Sequence, residues 1–142
     1  MIRLVTSALI STLIAATAAA QETPALRLGV ELNRVTQADN ACRITLMVAN
    51  GMGQDLSSVV LEAVLITRAG MVDRLTLFDL QDLPQGKARV RQFDLENLSC
   101  DALGQVLLNG VASCTAPADP ALDARACAHA LAPSSRTDVE MN

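Results

Sequence analysis

The sequence predicts an all-β sandwich with a short C-terminal helix, and three observations carry that expectation. Apolar and polar residues alternate at period two through most of the chain, the pattern of strands with one buried face. Turn residues recur at intervals of about ten, the spacing of short strands in a sandwich. Four cysteines follow an export signal, so small strands can be stapled by disulfides.

The first twenty residues are of a different composition from the rest. Arg3 supplies a positive start, Leu4 to Ala16 an apolar stretch, and Thr17-Ala18-Ala19-Ala20 a small-residue cleavage site before Gln21-Glu22. That is the layout of a secretory signal peptide, too short in its apolar part for the ~20 residues of a membrane span. Cleavage is expected after Ala20, leaving residues 21–142. One arginine rather than a pair favours the general secretion route over the twin-arginine one, and no cysteine follows the small residues to carry a lipid. The protein is therefore expected to be periplasmic or secreted, with no membrane span in the mature chain.

Beyond the signal, Leu26, Leu28, Val30 and Leu32 alternate with Arg27, Gly29, Glu31 and Asn33 as a half-buried strand does. Cys42, Ile44, Leu46 and Val48 repeat the pattern until Asn50-Gly51-Met52-Gly53. Val59 to Thr67 is apolar almost throughout, as a central strand is. After Ala69-Gly70, strands are expected over Val72–Leu80 and Lys87–Leu95, flanking Leu83-Pro84-Gln85-Gly86, either a hairpin or a crossover between sheets. Gln105–Leu108 and Val111–Cys114 flank Asn109-Gly110, a strong hairpin signal. The total is about seven strands.

A terminal helix is expected over Ala121–Leu131, with Asp119 as N-cap and Pro120 at the first helical position. It closes a domain of residues 21–131. Residues 132–142 read as a flexible tail. Phe78 and Phe93, each followed by Asp-Leu, are expected in the core, facing each other across a hairpin or meeting between sheets.

Composition removes several functions. Without Trp or Tyr, and with its two Phe assigned to the core, the chain has no aromatic platform for sugars or single-stranded nucleic acid. A net charge of -4 disfavours phosphate backbones. A single histidine, His129, excludes a His-rich metal centre. No partner of nucleic acid and no cofactor is expected.

The cysteines, Cys42, Cys100, Cys114 and Cys127, allow three pairings. The preferred one is Cys42–Cys100 as the long-range bridge and Cys114–Cys127 as the local one. No two stand in a C-x-x-C pair, which weighs against redox or zinc chemistry. The alternative is a periplasmic copper or thiol-redox protein using these cysteines with Met47, Met52 and Met71. Cys127 and His129 are two apart on the expected helix and point in different directions. Asp79 with Asp82, or Asp94 with Glu96, could form a carboxylate pair, but a glycosidase also needs a sugar cleft, and no loop offers the oxygen ligands of a calcium site. Asn97-Leu98-Ser99 is a glycosylation sequon relevant only to a eukaryotic secretory route. Arg89 and Arg91 share a strand face, with Arg74 near, giving a candidate partner-binding face; cross-strand pairing with Asp73, Asp79 or Asp82 is the plainer account.

Leu56-Ser57-Ser58-Val59, Gly70-Met71-Val72, Leu83-Pro84-Gln85-Gly86-Lys87 and Phe93-Asp94 together resemble extracytoplasmic immunoglobulin-like modules of the FxLYD type, over residues 26–95. Val64-Leu65-Ile66-Thr67-Arg68 stands where that signature would fall. Ala41-Cys42-Arg43 and the stretch from Cys100 to Asn109 are similar to a set of secreted α-proteobacterial proteins with no assigned activity. The resemblance implies an immunoglobulin-like sandwich outside the cytoplasm. The combined expectation is a non-catalytic module, not an enzyme, acting through contacts with an unidentified protein partner in an accessory or structural role.

Overall fold

A computed structural model describes residues 25–142, so the expected signal peptide and cleavage site lie outside the described residues. The chain runs β1 (Arg27–Ala38), β2 (Ala41–Gly51), β3 (Leu56–Thr67), β4 (Val72–Leu83), β5 (Ala88–Glu96), a 3-10 turn (Cys100–Ala102), β6 (Leu103–Thr115), α1 (Ala124–Ala130), β7 (Leu131–Ser135) and β8 (Glu140–Met141). The strands form two four-stranded sheets, β5-β2-β1-β7 (sheet A) and β4-β3-β6-β8 (sheet B). This is the all-β sandwich that the alternation predicts, with eight strands rather than about seven.

Period two sets the core. Leu28, Val30 and Leu32 of β1 and Ile44, Leu46 and Val48 of β2 point inward from sheet A, against Leu61, Ala63 and Leu65 of β3 and Phe78 and Leu80 of β4. Leu83–Gly86 is a crossover: β4 ends in sheet B and β5 begins in sheet A. Phe78 and Phe93 therefore meet between the sheets, ring centroids 4.7 Å apart and tilted by 38°.

The expected hairpin at Asn109-Gly110 does not form. β6 runs unbroken from Leu103 to Thr115 and pairs with β3 along its length. The register shifts between Glu62 and Ala63, whose partners are Gly110 and Leu108, so Asn109 is absorbed as an extra residue. A local turn preference loses here to a long partner strand that buries Leu103, Val106 and Cys114.

The C-terminus also differs from expectation. The helix starts at Ala124 rather than Ala121, and its cap is Asp123, whose carboxylate accepts from the Ala126 N–H at 2.9 Å. Asp119 instead caps the preceding turn, accepting from Ala121 N–H at 3.1 Å. Leu131 belongs to β7. Residues 132–142, read as a flexible tail, continue β7 parallel to β1 and then place β8 parallel to β6. Polar hydrogen bonds rather than a hydrophobic period hold this segment: Arg136 N–H to Leu32 O, Ser135 Oγ to Val139 O, and Leu108 N–H to Asn142 O. Val139 and Met141 are its only buried anchors.

Both preferred disulfides are present, Cys42–Cys100 and Cys114–Cys127, with sequence separations of 58 and 13. The first joins the start of β2 to the turn that leads into β6. The second fastens α1 to the end of β6.

Candidate functional site

Sheet B has an outer face that is apolar. Pairing places Val72, Leu75 and Leu77 of β4 beside Ile66, Val64 and Glu62 of β3, and Leu107 of β6 continues the row of Leu75 and Val64. Leu75 is 72% exposed, Val72 61% and Leu77 60%. These side chains stand on the edge strand of the sheet, where proteins usually place charge, proline or a bulge. The N-terminal half of β4 has a bulge at Asp73, but its centre, Leu75-Thr76-Leu77, carries no charge. A shallow depression of about 280 Å³ lies between Leu75, Leu77, Glu62 and Asn109.

The C-terminal half of β4 is covered differently. Arg91 of β5 reaches across the open side of the sandwich and donates from Nε to Leu80 O at 2.7 Å and from Nη2 to Asp82 O at 3.1 Å. Its side chain is only 18% exposed, and the Asp82 carboxylate lies 3.7 Å away. Arg74 bridges the other way, from β4 to Glu96 O at 2.8 Å, while its Nε binds Asp73. Arg74 and Arg91 thus join the two edge strands, the plainer of the two accounts that the sequence allows. Arg89, half-buried, shares the Arg91 side of β5.

Sheet A presents the opposite outer face. Gly29, Ala49, Ala88 and Ala132 form the floor of an open trough of about 450 Å³, with Met47 and Arg27 at its sides. Two of its acids are held by arginines. Arg43 and Asp94 form a two-pronged pair at 2.6 and 2.8 Å, and Arg136 Nε binds Glu31 at 2.9 Å. The Arg43 hydrogen bonds, and then its charge, hold the Asp94 carboxyl below its ordinary value. Glu31 is lowered first by the Asn33 amide and then by Arg136.

A carboxyl whose pKa is lower folded than unfolded stabilises the fold above the ordinary carboxylate range, about pH 4, and that contribution is lost as pH falls through the folded value. The Glu31→Gln/Asp94→Asn variant is expected to lose melting temperature less steeply than wild type on acidification from about pH 5 to about pH 2. Parallel melting curves for the two proteins would overturn the assignment.

The remaining sequence candidates are not brought together. His129 is exposed on α1 while its neighbour Cys127 is buried and bonded to Cys114. Asp79 lies on the outer face and accepts from Gln81 N–H, whereas Asp82 is beside Arg91. Asp94 is paired with Arg43, and Glu96 contributes its carbonyl to Arg74. Met47 faces out of sheet A, Met52 is buried, and Met71 is exposed at the β3–β4 turn. All four cysteines are in disulfides. Among the described residues no group of three or more His, Cys, Asp and Glu side chains is gathered, and no helix is long and apolar enough to cross a membrane.

Sequence reading missed the one buried polar side chain among the described residues, Asn50, which it assigned to a loop. Its amide donates to Leu83 O at 2.6 Å and Gln54 O at 2.8 Å, its Oδ1 accepts from Met52 N–H at 2.9 Å, and its carbonyl accepts from Gly86 N–H. It fixes the β2–β3 loop to the crossover. The outer apolar strip was visible as Leu75 and Leu77 alternating with polar residues, but the alternation does not say which set is exposed.

No family model matches the chain, and no curated protein matches it. Among solved structures the chain is similar to the Salmonella enterica trimeric lipoprotein SadB, at 17% identity and a TM-score of 0.43, over 49% of this chain and 43% of that one. The similarity thus spans less than half the length of the solved structure.

Proposed function

We propose that this protein is a non-catalytic, exported β-sandwich module that works through protein–protein contacts in an accessory or structural role. The observation that carries this reading is the exposed apolar strip Val72, Leu75 and Leu77 on an edge strand, an arrangement that solvent disfavours and a partner surface covers. Export to the periplasm or beyond is supported by the two disulfides, which persist in oxidising compartments, and by the signal-like first twenty residues. The resemblance to secreted immunoglobulin-like modules agrees with both.

The test is site-specific photo-crosslinking in the exporting cell. A crosslinker at Leu75 is expected to give a discrete protein adduct that is absent when it replaces Asp39 at the β1–β2 tip. Absence of any adduct at Leu75 would remove the reading. The same preparation gives the mass of the mature chain, expected to be residues 21–142 with no alkylatable thiol.

A further inference from the structure

We infer that the partner of this apolar strip is a second copy of the same chain, which enters with the outer face of its sheet A. The inference rests on the protein-contact reading above and deepens it. It is carried by the complementarity of two faces on opposite sides of one molecule. On sheet B the strip is exposed, and of the charged side chains on that outer face Glu62, Asp79 and Glu140 have no cationic partner among the described residues, while Arg68 at its end is held by Asp138. On sheet A the trough is open and floored by small side chains. There Glu31 and Asp94 are each neutralised by an arginine, whereas Arg27 and Arg34 have no acidic partner within ion-pair distance among the described residues, against one unpaired acid, Glu96 at the end of β5. An acidic apolar strip therefore meets a face on which unpaired arginines outnumber unpaired acids and whose trough has Arg27 at its side, and two strip faces would instead bring carboxylates together.

Such a contact is heterologous. Each copy uses one face and leaves the other free, so association continues into an open stack or a ring. The Coulombic part is weakened by salt, since the groups are exposed.

The experiment uses the exported, disulfide-intact protein in sedimentation equilibrium, with Leu75→Glu to block the strip and Ala49→Glu to block the trough. Both positions are exposed, and circular dichroism checks that each variant folds. Wild type is expected to exceed the mass of a dimer as concentration rises, and each variant to lose that association at least tenfold. An equimolar mixture of the two variants is expected to give a one-to-one dimer, because one intact strip and one intact trough remain. A wild-type protein that stays monomeric overturns the inference, as does a dimer abolished by Leu75→Glu yet untouched by Ala49→Glu. In either case a Leu75 crosslink to a different protein leaves the protein-contact reading standing, whereas no adduct at all removes that reading as well.

Discussion

Removing the Cys42–Cys100 bridge, as the double alanine variant, is expected to cost about 4 kcal/mol of folding stability, against about 3 kcal/mol for removing Cys114–Cys127. Both bridges restrict the unfolded chain, and the restriction grows with the logarithm of the loop they close. Those loops differ, with separations of 58 and 13 residues. The longer bridge also holds the segment at which the chain leaves β5 of sheet A for β6 of sheet B, where Cys100 N–H is accepted by the Gln37 side chain at 2.9 Å. Urea denaturation of the two double variants under non-reducing conditions measures the difference. A larger loss for the Cys114–Cys127 variant would show that docking of α1, not chain restriction, dominates.

Asn50 should be a highly sensitive position. It is 2% exposed and satisfies two carbonyls and one N–H by its side chain alone. Asn50→Leu leaves two buried groups, Leu83 O and Met52 N–H, without this partner, and at about 1–3 kcal/mol for each buried group left unpaired the loss is on the order of 2 kcal/mol or more. Asn50→Asp is a sharper probe. It keeps the acceptor for Met52 N–H but turns a carboxylate oxygen towards the carbonyls of Leu83 and Gln54. Its destabilisation should be greater at neutral pH than at acid pH, where the protonated group can donate to one of them. A pH-independent loss would mean that the loop rearranges around the new side chain.

The sequence was legible where burial and period coincide. β1 and β2 are marked by alternating apolar residues and β3 by a nearly continuous apolar run, and the inward set at Leu28, Val30, Ile44 and Leu46 follows directly. It misled at Asn109-Gly110, where a turn dipeptide lies inside a strand, because pairing with β3 is a long-range interaction that no local window contains. The C-terminal strands were illegible for a related reason. Ser135, Arg136 and Thr137 are ordered by backbone and hydroxyl bonds to distant or irregular partners, and such bonds leave no periodic mark. The cysteine count framed the disulfides, and of the three pairings the preferred one, Cys42–Cys100 with Cys114–Cys127, is the one in the structure. The arginine cluster was visible as charge, but its role as a clasp depends on the crossover, which the sequence left undecided.

The pairing of β7 with β1 joins Leu131 to Leu28, nearly opposite ends of the described chain. Among the described residues β1 is the first strand to be synthesised, and one of its edges has no partner until Leu131–Ser135 follow. Completion of sheet A is therefore tied to β7: a nascent chain that stops short of Leu131 displays an open template strand, and only a chain that includes β7 can cover it. A stalled or truncated product would carry that edge exposed, in a form that quality-control proteases and strand-binding chaperones can distinguish from the complete molecule.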